Sequence, residues 1–410
     1  MNIETKRAFD RYLGAPLCRL LSAWPGARAR AAIEATPKRI LIVLLSEMGS
    51  LVLTQPMLRK LRERYPGAEL YALVFRQNRE VLDLLELVPT ENVLTLRDSS
   101  LGSLLLDALS VLRKLRRLRI DVAIDGELFA RVSAIICFLS GARLRVGFHP
   151  HHQEGLYRGS FWNRPVLYNP YQHISQQFLT LADAVETAGT GTSRPLVKRA
   201  VESTPLRLEP IALLDGEVDA MRERLGRDHP SVRGKRLVLL YPGGGLLPIR
   251  AWPLQSFSEL AARFVRRGDA VGIVGLASDD GLARQVQSHV GGELCVNLTG
   301  YTRTVRELMV LFHLADVLVT NDGGPGHFAS MTPLATILLF GPETPRLYGS
   351  LHPKAVHFYR NLSCSPCLTA YNHRSSPCDG DNQCLKQITV DEVAAAVDRL
   401  LSSEAPGDQQ

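Results

Sequence analysis

Two series of short, unbroken apolar runs, each run separated from the next by a segment of helical length, limit this chain to an α/β architecture. In the first series Ile40 to Leu45, Leu70 to Val74, Asn92 to Leu96, Asp121 to Ile124 and Arg143 to Gly147 have strand length. Helical patterns over 54–64, 77–87, 101–118 and 127–139 lie between them. Runs that are apolar at successive rather than alternate positions suit parallel strands covered on both faces. The alternation predicts a doubly wound domain. A second series starts at Leu237 and takes in strands Leu237 to Tyr241, Ala270 to Gly275, 294–297, Val317 to Thr320 and Ala335 to Phe340. Its helices are expected over 255–267, 279–290, 304–313 and 390–402. The stretch from His149 to Arg236 is irregular, with helical patterns only near 173–189 and 215–226, and is where the domain joint is expected. The expected organisation is an N-terminal helical segment over 1–38, a first domain over 39–190, a linker over 191–235, a second domain over 236–402 and a disordered tail over 403–410.

A length of 410 residues with 45% hydrophobic content suits two domains with real cores. The 48 Lys and Arg against 41 Asp and Glu leave a net charge of +7, which favours anionic ligands or an anionic surface. That excess is not gathered into a basic stripe, so no nucleic-acid partner is expected. No apolar run reaches the ~18 to 20 residues of a membrane span, and the expected location is the cytoplasm. Within the first segment Phe9, Leu13, Leu17, Leu20, Leu21 and Trp24 recur at near-helical spacing beside Lys6, Arg7, Arg11 and Arg19, with breaks expected near Gly14 and Pro16. Amphipathic helices with a basic rim suit the anionic inner face of the cytoplasmic membrane, as a peripheral attachment; packing on the protein itself accounts for the same pattern.

The stretch 315–342 reads A-D-V-L-V-T-N-D-G-G-P-G-H-F-A-S-M-T-P-L-A-T-I-L-L-F-G-P, two buried strands around a small, polar, glycine-rich loop that turns into a short helix. Such a loop lets a ligand approach the backbone closely, and the helical turn aims N–H groups at it. A diphosphate fits there, although an ordinary strand-to-helix turn accounts for a glycine cluster too. The candidate ligand residues are Asp322, Gly323, Gly324, Gly326 and His327, joined by Gly243 and Gly244 in the loop after the first strand of this domain. Four of the seven cysteines cluster as C-x₂-C-x₁₀-C-x₅-C at Cys364, Cys367, Cys378 and Cys384, enough for one tetrahedral structural metal site; reduced, partly buried thiols are the alternative. Asp379-Gly380-Asp381 has the form of a D-x-D metal motif, but lies inside this cysteine-rich loop, far in sequence from the glycine-rich loop.

Several motifs in order and spacing resemble glycosyltransferase family 9, the heptosyltransferase-like enzymes of the GT-B fold. They are L-L-S-E-M-G-S-L-V-L-T-Q-P-M-L-R-K-L-R (44–62), A-R-L-R-V-G-F (142–148), R-A-W-P (250–253), N-D-G-G-P-G-H (321–327) and F-G-P-E-T-P (340–345). No G-x-G-x-x-G follows a first strand, which argues against a dinucleotide oxidoreductase. The resemblance implies two Rossmann-like domains facing across a cleft, the C-terminal one holding a nucleotide-diphosphate sugar and the N-terminal one a glycolipid or glycan acceptor such as lipopolysaccharide. It implies inverting transfer, commonly of a heptose from ADP-heptose, with no cofactor required for catalysis. Arg250 would stabilise the leaving diphosphate. Autotransporter heptosyltransferases, similar to this family, carry an iron-binding cysteine motif, so the resemblance adds iron to zinc as a structural ion for the cysteine cluster. A nucleotide-sugar 2-epimerase shares the two-domain layout and is the alternative enzyme.

The family's first loop ends in an Asp that serves as base, and here that position is Ser50, which cannot act as a carboxylate base. Glu47 in the same loop is the expected replacement, with Glu127 and Asp125 after a neighbouring strand as the other candidates. If none serves, the chain is a sugar-nucleotide-binding protein that has lost catalysis.

Overall fold

The computed structural model describes residues 3–25, 36–45, 48–149, 157–186, 206–372, 374–376 and 378–402. Two compact units are present: Met1–Leu206 with Thr369–Arg374, and Arg207–Leu368 with Ser375–Gln410. The N-terminal unit holds β1 (Arg39–Val43), β2 (Glu69–Phe75), β3 (Val93–Leu96), β4 (Val122–Asp125), β5 (Leu144–His149) and β6 (Arg164–Leu167), in the order β3-β2-β1-β4-β5-β6. The C-terminal unit holds β7 (Leu237–Tyr241), β8 (Ala270–Gly275), β9 (Cys295–Thr299), β10 (Val317–Asn321), β11 (Ala335–Phe340) and β12 (Ala355–Tyr359), in the order β12-β11-β10-β7-β8-β9. Neighbouring strands pair in parallel in both sheets. Each sheet runs out from its first strand, returns, and runs out the other way. The order therefore reverses between β1 and β4, and again between β7 and β10, and ligands of such sheets bind at the carboxyl ends of those strands.

The buried cores explain why the apolar runs are unbroken. Leu41, Val43, Leu73, Ala123 and Ile136 belong to one cluster in the N-terminal unit, and Val238, Leu240, Ile273, Val319, Ile337 and Phe264 to one in the C-terminal unit. Two edge strands went unread. β6 begins Arg164-Pro165, and proline is tolerated at an edge because it has no N–H to give a neighbour. β12 is half-buried along its whole length, so it lacks the continuous apolar run of the inner strands.

Three expectations need correction. The helix expected from residue 127 begins at Arg131, because Arg158 donates to the carbonyls of Glu127 and Ala130 and holds 127–130 in a loop. Part of the expected linker belongs to the C-terminal unit: the helix Glu217–Asp228 is fastened there by Arg306 to Glu217 at 2.7 Å and by Arg224, whose guanidinium lies 4.6 Å over the Tyr301 ring. The N-terminal segment does not break at Gly14 or Pro16. It runs as Ile3–Phe9, a π-helical turn Asp10–Gly14 and Ala15–Ser22, with Gly14 and Pro16 both inside the helical run. The tail 403–410 and residues 187–205 lie outside the described residues.

One face of the N-terminal segment packs on its own unit. The Asp10 carboxylate accepts from the Arg131 backbone N–H at 2.7 Å and from its guanidinium at 2.6 Å, and Cys18 and Leu21 are buried. Gly14 makes room, since a Cβ there would stand 3.1 Å from that of Arg131. The opposite face leaves Tyr12, Leu13, Leu20 and Trp24 exposed. No described helix is long and apolar enough to cross a membrane.

Candidate active site

In the C-terminal unit the loops after β7 and β10 are tied together at the point where strand order reverses. Asn321, the last residue of β10 and fully buried, donates from Nδ2 to the carbonyls of Pro242 and Gly243 at 3.1 and 3.0 Å. Its Oδ1 accepts the Trp252 N–H at 2.9 Å. The Trp252 ring is buried in the core and its Nε1 donates to the Ile388 carbonyl at 3.0 Å. Between these anchors the turn Pro248–Arg250 has little freedom, and it presents Arg250 to two carboxylates. Arg250 Nη2 lies 3.0 Å from Glu343 Oε1 and its Nε lies 3.7 Å from Asp322 Oδ2. All three side chains are largely buried, at 13%, 6% and 3% exposure for Arg250, Asp322 and Glu343. The two carboxylates hold the guanidinium by charge. Glu343 lies within a quoted motif without being a candidate, and Asn321, expected as part of the loop that admits a ligand, instead fastens that loop. Nothing in a motif distinguishes the side chain that fastens the loop from the backbone that meets the ligand.

The glycines divide by what surrounds them. A Cβ on Gly326 would lie 2.6 Å from Leu338 Cδ2, so this glycine serves the packing of the helix Gly324–Ala329 against β11 and is not required for ligand approach. A Cβ on Gly244 would lie 2.9 Å from the Leu247 carbonyl oxygen, and one on Gly243 3.0 Å from the Tyr241 ring. Those two are demanded by the loop's own fold. Gly323 and Gly324 are different: nothing stands closer than 3.9 and 3.5 Å to a Cβ there. Their smallness is unused by the protein itself. His327 is buried in the same short helix.

In the N-terminal unit the corresponding reversal point carries the carboxylates. Glu127 is buried, and its Oε1 accepts the Leu45 N–H at 2.6 Å, while Asn78 Nδ2 donates to the Leu45 carbonyl at 2.6 Å. Glu127 thus fastens the loop after β1 much as Asn321 fastens the loop after β7. Asp125 is fully buried and accepts from the Arg158 guanidinium, from the Glu127 N–H at 2.9 Å and from Ser133 Oγ at 3.1 Å. Burial pushes its carboxyl up to about 6, against the opposing pull of Arg158 and the Glu127 N–H. A carboxylate so enclosed serves to hold the loop 125–133 together. Ser50 sits in the helix Met48–Leu53 that follows the first loop, and Glu47 lies outside the described residues.

The cysteines of the cluster are spread from surface to interior. Cys364 and Cys378 are exposed, Cys367 is half-buried and Cys384 is buried. Burial raises the Cys384 thiol, and the neighbouring Cys367, Cys364 and Cys378 add to that. Cys367 accepts from Ser376 Oγ at 3.0 Å, and Cys378 faces Asn382 Oδ1 at 3.7 Å. Among the described residues no group of three or more His, Cys, Asp or Glu side chains is gathered closely enough to hold a metal ion. The D-x-D residues form an exposed turn, with Asp381 paired to Lys386 at 2.5 Å.

The chain is similar to lipopolysaccharide heptosyltransferase 2 of Salmonella typhimurium, 24% identical over 89% of this chain and 99% of the relative. The solved structure of the ADP-heptose lipopolysaccharide heptosyltransferase II of Escherichia coli superposes with a TM-score of 0.69 at 20% identity, covering 89% of this chain and 99% of that one. An iron-containing dodecameric glycosyltransferase from enterotoxigenic Escherichia coli has the same fold at a TM-score of 0.54 and 13% identity, over 90% of this chain and 77% of that one. The sequence profile described as glycosyltransferase family 9 (heptosyltransferase) matches residues 108–375, which span the acidic loop, Arg250, the glycine-rich loop and Glu343. The chain belongs to glycosyltransferase family 9 and is a glycosyltransferase of the GT-B fold.

Proposed function

We propose that this glycosyltransferase transfers a heptose from ADP-heptose to a lipopolysaccharide-type glycan, with inversion at the anomeric carbon. The observation that carries the donor side is Arg250 held between Asp322 and Glu343 beside the two glycines whose space the protein leaves unused. Diphosphate approaches Gly323 and Gly324, and the charge it gains on leaving meets a guanidinium that needs no reorganisation. The carboxylates that position Arg250 retain lone pairs to accept from sugar hydroxyls. The relatives named for ADP-heptose and lipopolysaccharide support the choice of donor and acceptor. The epimerase alternative gives way to the family assignment. On the acceptor side Glu47 acts as base, two positions after Leu45, whose N–H and carbonyl are held by Glu127 and Asn78.

The enzyme works at the inner face of the cytoplasmic membrane, where Tyr12, Leu13, Leu20 and Trp24 enter the headgroup region and Arg11 and Arg19 meet anionic lipid. Cys364, Cys367, Cys378 and Cys384 take a structural zinc or iron ion once Cys367 and Cys378 turn away from Ser376 and Asn382. Iron is the metal named for the dodecameric neighbour. Transfer itself draws on no metal.

Native mass spectrometry with a panel of nucleotide sugars tests the donor. ADP-heptose is expected to bind, and to lose affinity in Gly324→Ala. Preference for a uridine or guanosine sugar would overturn the choice of donor.

A further inference from the structure

The cysteine-bearing segment contributes residues to both units. Thr369–Arg374 belongs to the N-terminal unit, although the chain on either side of it belongs to the C-terminal one. On the outgoing side Ser365 Oγ donates to the Gly341 carbonyl, and the N–H groups of Cys367 and Leu368 donate to the Pro342 carbonyl at 2.9 Å each. Gly341 and Pro342 lead directly into Glu343, the partner of Arg250. On the returning side Asn382 Nδ2 donates to the carbonyl of Ile249, the residue before Arg250, at 2.9 Å. Both ends are therefore fastened to the loops that position Arg250.

The tip is fastened with equal care in the N-terminal unit. It closes on itself through Arg374 N–H to the Thr369 carbonyl at 3.0 Å and Thr369 N–H to Asn372 Oδ1 at 3.1 Å. Arg374 is buried, and its guanidinium lies 4.9 Å over the ring of Phe129. Its carbonyl accepts from Arg7 at 3.3 Å, and Tyr371 meets Tyr168 edge to face at 6.2 Å. Phe129 sits in the loop whose neighbours Glu127 and Ala130 are held by Arg158. Arg374 has a φ of 53°, a left-handed conformation that a long side chain seldom adopts and that persists where the surroundings fix it.

We propose that Arg374, at the end of the turn Thr369–Arg374, is a positioning residue for the acidic loop 125–131. Through Phe129, Arg374 limits the motion of the loop that carries Glu127, and Glu127 in turn holds the Leu45 N–H. The kinetic consequence rests on the glycosyl-transfer reading above; the positioning itself does not.

The test compares Arg374→Gln and Arg374→Lys in the full-length protein by amide hydrogen exchange, first without ligand. Loss of a buried cation–π contact should speed exchange at the amides of 126–131 by about tenfold in Arg374→Gln, with β1 and β4 unchanged. Arg374→Lys, which keeps a cation over the ring, should stay near wild type. In turnover assays Arg374→Gln should lower kcat by about tenfold while the Kd for ADP moves by less than about twofold. Wild-type exchange at 126–131 in Arg374→Gln would overturn the proposal, as would faster exchange throughout the unit or equal effects of Gln and Lys. If ADP does not bind the wild type, the donor reading fails, and the exchange comparison still decides whether Arg374 positions the acidic loop.

Discussion

At the scale of single residues, identical letters in one motif do different work. Gly324 and Gly326 are two positions apart, yet only Gly326 has its space taken by the fold. Gly326→Ala should destabilise the C-terminal unit by about 1 to 3 kcal/mol, because Leu338 is fully buried and cannot move aside. Gly324→Ala should leave the melting temperature nearly unchanged and weaken ADP binding. Calorimetry on both variants checks this, and a reversed pattern would remove the 323–324 opening as the diphosphate site. The carboxylates divide similarly. Glu47→Gln should lower turnover by roughly 10²- to 10⁴-fold with donor binding intact, as expected for loss of a general base. Glu127→Gln should instead act through the fold, since Glu127 is buried on the Leu45 N–H. Melting curves beside turnover separate the two, and wild-type turnover in Glu47→Gln would exclude it as the base. The sequence made the residue types legible and left their partners hidden. Arg250, Asp322 and the glycines could be picked out from the motif. Glu343 and the fastening role of Asn321 could not, because both rest on contacts to residues tens of positions away.

At the scale of elements, the inner strands are readable from their continuous apolar runs and the edge strands β3 and β9 are readable too, whereas β6, which starts Arg164-Pro165, and the half-buried β12 carry no such run. The N-terminal helices divide one pattern between two faces, one packed on the protein and one exposed. Asp10, Gly14, Cys18 and Leu21 face the protein, while Tyr12, Leu13, Leu20 and Trp24 face outward. Leu20→Asp with Trp24→Asp should release the protein from anionic vesicles in sedimentation assays without lowering its melting temperature, since both side chains are exposed. Raised salt should weaken binding of the wild type, because the basic share of the attraction is screened over ~8 to 10 Å. Binding that survives the double substitution would place the attachment elsewhere. For the cysteine cluster, elemental analysis of protein purified without added metal should find about one zinc or iron per chain, lost in Cys364→Ser with Cys367→Ser. Metal-free protein with reactive thiols would leave the cluster as reduced cysteines.

At the scale of the whole molecule, two sheets of the same strand order place two fastened loop pairs at equivalent points, Glu127 on Leu45 in one unit and Asn321 on Pro242 and Gly243 in the other. The doubly wound pattern was legible from the alternation alone, whereas the return of Thr369–Arg374 to the N-terminal unit was not, since it depends on Arg374 finding Phe129 far back in the chain. The departure at Ser50 makes catalysis the central claim to test. The direct measurement is turnover of purified protein with ADP-heptose and a lipopolysaccharide acceptor lacking its outer heptose, read by mass spectrometry of the acceptor. The account predicts one added heptose per acceptor, with ADP released only when acceptor is present. Tight donor binding without transfer to any of a panel of acceptors would contradict it.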